Sequence, residues 1–183
     1  MSERKIKEWA LPHVREFRTY VDIGADTGTT STPFLEQFKK IIAFEPNPES
    51  FQELSKNLQI ESYDVALSNF NGTADLTIPL NGKNQWGTIA DDRIAIWDEV
   101  TKTTVSVNTL DSYNFENIDF IKIDVEQGEY GVITGALETI KKWHPTIIFE
   151  NKRNEADSVI PILESLGYTV VKHKSDTVAY FKN

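Results

Sequence analysis

The chain has 183 residues, enough for one domain with its own core, and its 39% hydrophobic and 26% charged content is that of an ordinary globular protein. A net charge of −9 with scattered basic residues argues against a polyanionic partner, either nucleic acid or anionic lipid. The absence of cysteine excludes disulfides, thiolate metal sites and cysteine nucleophiles, and fits a cytoplasmic location. No apolar run approaches membrane-spanning length, and the charged opening lacks the apolar stretch of a signal peptide.

Residues 1–18 read as an N-terminal helix, because Ile6, Trp9, Ala10, Val14 and Phe17 recur at roughly helical spacing. Residues 18–23 form a short buried strand that ends in a glycine turn. A helix over residues 30–38 follows, with Pro33 tolerated in its first turn. Residues 40–44 are the second strand, residues 48–58 the second helix and residues 61–67 the third strand. Residues 69–107 break the pattern: Asn71-Gly72, Asn81-Gly82 and alternating apolar positions predict a β-rich insertion, placed on the substrate side. Strand and helix then alternate again: a short helix opening at residues 110–113, a strand over 120–124, a long helix over 128–143, a strand over 146–150 and a helix over 156–166. Residues 168–172 and 177–182 close the chain as a hairpin. Alternation of this kind predicts a single α/β domain over residues 1–183, a mostly parallel doubly wound sheet with ligands at the carboxyl ends of its strands.

The turn after the first strand, Asp22-Ile23-Gly24-Ala25-Asp26-Thr27-Gly28, and Glu45 at the tip of the second strand have the spacing of a nucleotide-like cofactor site. A pyrophosphate needs bare backbone N–H groups, whereas this loop carries two carboxylates. Those suit a ligand with a positive end and no phosphate, which S-adenosylmethionine is. Asp22 is expected to bind its ammonium, directly or through water, or else to cap the loop. Gly24, Ala25 and Gly28 let the backbone approach the methionine part, and Asp26 either touches ligand or caps the following helix. Glu45 accepts both ribose hydroxyls, and Asn47 supports the turn or touches the ribose. Asp64, Val65 and Ala66 are placed at the adenine, Asp64 either accepting from its amino group or pointing into solvent from the strand end.

Asp124 closes the fourth strand and Glu126 and Glu129 follow in the next loop and helix start as the catalytic candidates; with Glu150 and Asn151 at the fifth strand, placed at the substrate, they form a carboxylate-rich rim. Either a general base or a divalent cation site fits such a rim. Glu126 and Glu129 equally complement the helix that they begin. Trp86 is a candidate acceptor contact. His13, His144 and His173 lack metal-ligand spacing, so no metal ligands are assigned. Lys122, between apolar neighbours, reads as a partly buried lysine without a role.

The motifs together resemble the FkbM-type S-adenosylmethionine-dependent methyltransferases: Val-Asp-Ile-Gly-Ala at 21–25, Phe-Glu-Pro-Asn-Pro at 44–48, Val-Ala-Leu-Ser at 65–68, Asn-Thr-Leu-Asp-Ser-Tyr at 108–113, Ile-Lys-Ile-Asp-Val-Glu at 121–126 and Gly135-Ala136. The resemblance implies a Rossmann-like fold with seven strands, the last antiparallel, and methylation of oxygen on small molecules or saccharides. Two departures stand out. The family usually has Asn in place of Asp26, and Asp-Val-Glu-Gly-x-Glu where residues 124–129 read Asp-Val-Glu-Gln-Gly-Glu. The competing readings are a non-catalytic protein that keeps the cofactor fold, an NAD-dependent oxidoreductase, which wants a Gly-x-Gly-x-x-Gly loop, and a nucleic-acid amino-methyltransferase, which wants an Asp/Asn-Pro-Pro-aromatic motif.

Overall fold

The computed structural model describes residues 1–80, 87–89, 99–150 and 156–182. Its main sheet has seven strands: β1 (Thr19–Ile23), β2 (Lys40–Phe44), β3 (Glu61–Tyr63), β7 (Ile118–Ile123), β8 (Thr146–Glu150), β9 (Tyr168–His173) and β10 (Asp176–Phe181). They are ordered β3-β2-β1-β7-β8-β10-β9, and only β10 runs against its neighbours. The strands β1, β7 and β8 are buried along their whole length, as a sheet covered on both faces requires.

Alternate side chains of these strands feed two cores. Val21, Ile23, Ile121, Ile123, Ile147 and Phe149 face helices α3 (Glu129–Thr134), α4 (Leu137–Trp143) and α5 (Ala156–Ser165). Tyr20, Ala43, Phe120, Ile148 and Val178 face the N-terminal segment and α2 (Pro48–Leu54).

A second sheet joins β4 (Val65–Leu67) to β6 (Val100–Asn108) and β5 (Gly72–Pro79), the last two drawn from the segment that departs from βα alternation. The strands β5 and β6 pair antiparallel along eight positions. The single strand expected over residues 61–67 is therefore two: the chain leaves the main sheet at Asp64 and enters the second one at Val65.

Three expected helices differ from those observed. The N-terminal helix ends at His13 and is a succession of short α (Glu3–Lys5), π (Ile6–Ala10) and 3-10 (Leu11–His13) turns; Pro12 admits no further α-turn and the chain is extended at Val14. The helix expected over residues 30–38 is reduced to a 3-10 turn, Thr32–Phe34. Thr32 Oγ1 bonds the backbone locally instead, donating to the Gly28 carbonyl at 2.9 Å. The long helix over residues 128–143 is broken into α3 and α4. A Cβ on Gly135 would lie 2.0 Å from the Ser68 carbonyl oxygen, so the backbone of the second sheet packs directly onto the break. Asp111 then restarts the helix, accepting from the amides of Glu138 (3.0 Å) and Thr139 (2.8 Å).

Candidate functional site

The carboxyl ends of β1, β2, β7 and β8 open onto one cavity of about 370 Å³, closed on one side by β4, by Leu76 of the second sheet and by residues 87–89, where Thr88 bridges to Thr77. Such a volume suits a small-molecule ligand. It lies where the chain order reverses between β1 and β7, the crevice in which open α/β sheets bind ligands.

The turn after β1 brings Gly24, Ala25 and Asp26 into the wall. Gly24 has φ +73° and a Cβ there would sit 2.2 Å from the Asp124 carbonyl, so glycine is demanded by the approach of two backbones as well as by any ligand. Asp26 is left-handed at φ +51°, a conformation that Asn and Asp tolerate best, which accounts for both residue types at this position. Its carboxylate accepts from Ser50 Oγ at 2.7 Å and, with no α-helix following, caps none. Gly28 lies outside the cavity wall and packs against Leu54 of α2.

Glu45 enters from the tip of β2. Its two carboxylate oxygens accept from the backbone N–H groups of Asp26 and Asn47, each at 2.8 Å, which fixes the head group at the cavity wall. It is only 8% exposed, and burial pushes its pKa up to about 7 against the opposing pull of those two amides. Asn47 is turned away: its side chain caps α2 by accepting from the Glu49 amide at 3.1 Å. Val65 and Ala66 line the cavity, as do Pro46 and Leu67, whereas Asp64 is exposed at the switch between sheets and is absent from the wall.

Asp22 differs most from its expected role. It is fully buried beneath the cavity, and its carboxylate accepts from Lys122 Nζ at 2.6 Å and from Ser31 Oγ. The cation opposite Asp22 is thus a lysine of the protein itself. Lys122 lies across from Asp22 in the β1–β7 register, is 1% exposed, and also donates to the Gly24 carbonyl at 3.0 Å. Burial pulls its pKa down, but Asp22 and Asp124 outweigh this and leave it raised. Its Nζ stands 3.8 Å from Asp124 Oδ2 and it contributes to the cavity wall. Sequence reading left Lys122 without a role, because its partner lies 100 residues away in a strand register that no local pattern reveals.

Asp124, Glu126 and Glu150 all line the cavity, and Asp124 Oδ2 holds the Met1 ammonium at 2.5 Å. Glu129 is buried in the first turn of α3, accepts from the Gly128 amide at 3.1 Å and stays out of the wall. Trp86 and Asn151 lie outside the described residues. No grouping of three or more His, Asp or Glu able to hold a metal occurs among the described residues, so the divalent cation gains no support.

A seven-stranded sheet of this order with an antiparallel last strand, bearing its cavity at the carboxyl edge, is the Rossmann-like methyltransferase architecture. The family model described as Methyltransferase FkbM domain matches residues 22–170, and the chain belongs to the FkbM methyltransferase family. A curated relative, the 2-O-methyltransferase NoeI of Sinorhizobium fredii (strain NBRC 101917 / NGR234), is 29% identical over 143 residues, 67% of this chain and 58% of that protein. Among solved structures, methyltransferase FkbM from Methylobacillus flagellatus KT is similar with a TM-score of 0.68 at 15% identity, over 100% of this chain and 48% of that one. The magnesium protoporphyrin IX methyltransferase ChlM from Synechocystis PCC 6803, solved with S-adenosylmethionine bound, gives 0.51 at 11% identity, over 98% of this chain and 78% of that one. The chain thus spans less than two thirds of NoeI and about half of the Methylobacillus protein.

Proposed function

We propose that this domain binds S-adenosylmethionine in the cavity and transfers its methyl group to a hydroxyl of a small molecule or saccharide, acting in the cytoplasm with neither nucleic acid nor membrane as partner. The observation that carries the reading is Glu45. Its carboxylate is held at the cavity wall by two backbone amides, and each oxygen keeps a lone pair for one hydroxyl of a ribose diol. The apolar walls Pro46, Val65, Ala66 and Leu67 beside it suit an adenine ring, and the Gly24–Asp26 turn with Asp124 suits the amino-acid end.

When bound, S-adenosylmethionine supplies a methyl group on a positively charged sulfur. The protein's task is then alignment of donor and acceptor, with a base for the acceptor proton. Glu126 and Glu150 line the same cavity as Asp124 and serve as the carboxylates that receive that proton. The acidic lining favours a sulfonium and disfavours a pyrophosphate, which separates this reading from an NAD-dependent one. The 2-O-methyltransferase activity in the name of NoeI supports oxygen as the acceptor atom.

Calorimetry with S-adenosylmethionine, S-adenosylhomocysteine and NAD tests the reading. We expect the two methionine cofactors to bind, NAD to fail, and Glu45→Ala to weaken cofactor binding by about tenfold to a hundredfold, the worth of a bidentate charged contact. Binding of NAD, or full cofactor affinity in Glu45→Ala, would overturn it.

A further inference from the structure

Among the side chains that line the cavity, five are acidic, namely Asp26, Glu45, Asp124, Glu126 and Glu150, and Lys122 is the basic one among the described residues. An acidic cavity welcomes a sulfonium and an ammonium. It repels the α-carboxylate that S-adenosylmethionine also carries, unless a cation is placed where that carboxylate lands.

We infer that Lys122 and Asp124 form a charge clamp for the amino-acid end of the cofactor, Lys122 taking the α-carboxylate and Asp124 the α-ammonium, with Asp22 the buried counter-ion that holds Lys122 in position. The inference rests on the S-adenosylmethionine reading of the cavity.

A lysine ammonium has three N–H groups. Two are committed, to Asp22 Oδ1 at 2.6 Å and the Gly24 carbonyl at 3.0 Å. Among the described residues the next acceptor, Asp124 Oδ2 at 3.8 Å, is beyond hydrogen-bond reach, which leaves the third N–H for a ligand oxygen in the cavity that Lys122 lines. Asp124 Oδ2 stands 3.8 Å from Lys122 Nζ in the wall of the same cavity, so a ligand cation beside Asp124 has its neighbouring anion beside Lys122. In an α-amino acid the ammonium nitrogen and the nearer carboxylate oxygen are about 2.7 Å apart by covalent geometry. A ring of four alternating charges therefore closes: Asp124 carboxylate, ligand ammonium, ligand carboxylate, Lys122 ammonium. In a site shielded from water such a ring is favourable on every side.

This also explains the burial of Asp22. Left alone, a buried lysine sheds its proton. With Asp22 in contact and Asp124 nearby it stays charged, and the two hydrogen bonds fix where that charge points.

The test pairs two ligands that differ at the clamp. S-Adenosylhomocysteine carries the amino-acid end and 5′-methylthioadenosine lacks it. Calorimetry compares both on the wild type and on the double variant Lys122→Met/Asp22→Asn, in which the buried pair is removed as a unit so that no charge is left unpaired. We expect the double variant to lose about tenfold to a hundredfold in affinity for S-adenosylhomocysteine while methylthioadenosine binds within about twofold of wild type. Unchanged affinity for S-adenosylhomocysteine overturns the clamp. A second arm uses the wild type alone, so folding of the variant does not enter: decarboxylated S-adenosylmethionine should bind at least about tenfold more weakly than S-adenosylmethionine, and equal affinity overturns the role of Lys122. If both ligands weaken on the double variant, its pocket is damaged and the wild-type arm decides. If the wild type binds neither nucleoside, the cofactor reading itself has failed, a result distinct from failure of the clamp.

Discussion

At the scale of single residues, Glu45 ties binding to pH. Burial holds its folded pKa at about 7, above the ordinary 4.5. Between those values the folded protein keeps a proton that the unfolded chain has released, so stability falls as pH rises through this window, by on the order of 3 kcal/mol in total, and is flat outside it. Cofactor binding runs the other way. Ribose hydroxyls donate to the ionised carboxylate, so the ligand favours loss of the proton. Lowering pH from 8 to 6 should weaken S-adenosylhomocysteine binding about tenfold. Calorimetry near pH 7 in buffers of different ionisation enthalpy should show proton release, and a pH-independent affinity without proton release would rule out the ribose role. Gln127 offers a second expectation. It stands at φ +68° next to Glu126 at φ +50°, two consecutive left-handed non-glycine residues, beside the departure from the Asp-Val-Glu-Gly-x-Glu pattern that the motif resemblance marks. The departure was readable in the sequence; the φ angle that gives it meaning was not. Gln127→Gly should raise stability by about 1 kcal/mol in urea denaturation. A lower midpoint would mean that side-chain contacts of Gln127 outweigh the backbone relief.

At the scale of elements, the strands of the main sheet were more readable than the helices: those expected over 48–58 and 156–166 stand as α2 and α5, while three others differ. Short runs rich in β-branched and aromatic residues, such as Ile41-Ile42-Ala43-Phe44 and Thr146-Ile147-Ile148-Phe149, read as covered strands, and a parallel sheet then puts Gly24, Glu45, Asp124 and Glu150 on one edge. The break between α3 and α4 is different in kind. Helical periodicity runs straight through Gly135, and the break is imposed by the Ser68 backbone from a separate sheet. The Asn-Thr-Leu-Asp-Ser-Tyr and Gly135-Ala136 motifs, separate in sequence, are one device in the fold. Gly135 admits Ser68, its carbonyl accepts from the Asp111 amide at 3.1 Å, and the Asp111 carboxylate caps α4. Asp111→Ala should therefore destabilise by about 1–2 kcal/mol, as loss of a helix cap does. Cofactor affinity should be unchanged because Asp111 is absent from the cavity wall. Thermal denaturation and cofactor titration of the same variant separate the two effects, and a loss of affinity in a fully folded variant would show that the break shapes the site.

At the scale of the whole molecule, the Asp22–Lys122 pair fastens β1 to β7 at the point where the chain changes direction across the sheet. Strands on one side of this seam carry Glu45, and those on the other carry Asp124 and Glu150, so the pair joins the two groups of strands whose ends bear the acidic wall of the cavity. Both groups are at most 2% exposed, and each is a large liability without the other. Removing one partner leaves a buried charge uncompensated, whereas removing both leaves neutral groups of similar size. Lys122→Met and Asp22→Asn should each cost about 3–5 kcal/mol, and the double variant should cost less than either alone. The sign of the coupling is what matters, and a double-mutant cycle in urea measures it directly. Additive losses would mean that Asp22 relies on Ser31 and Lys122 on the Gly24 carbonyl, independently of each other, and that the seam is held by hydrogen bonds rather than by charge. Strong positive coupling, with the double variant folded and yet indifferent to the ligand's carboxylate, would place the stability of the seam and the recognition of the ligand in the same pair of side chains.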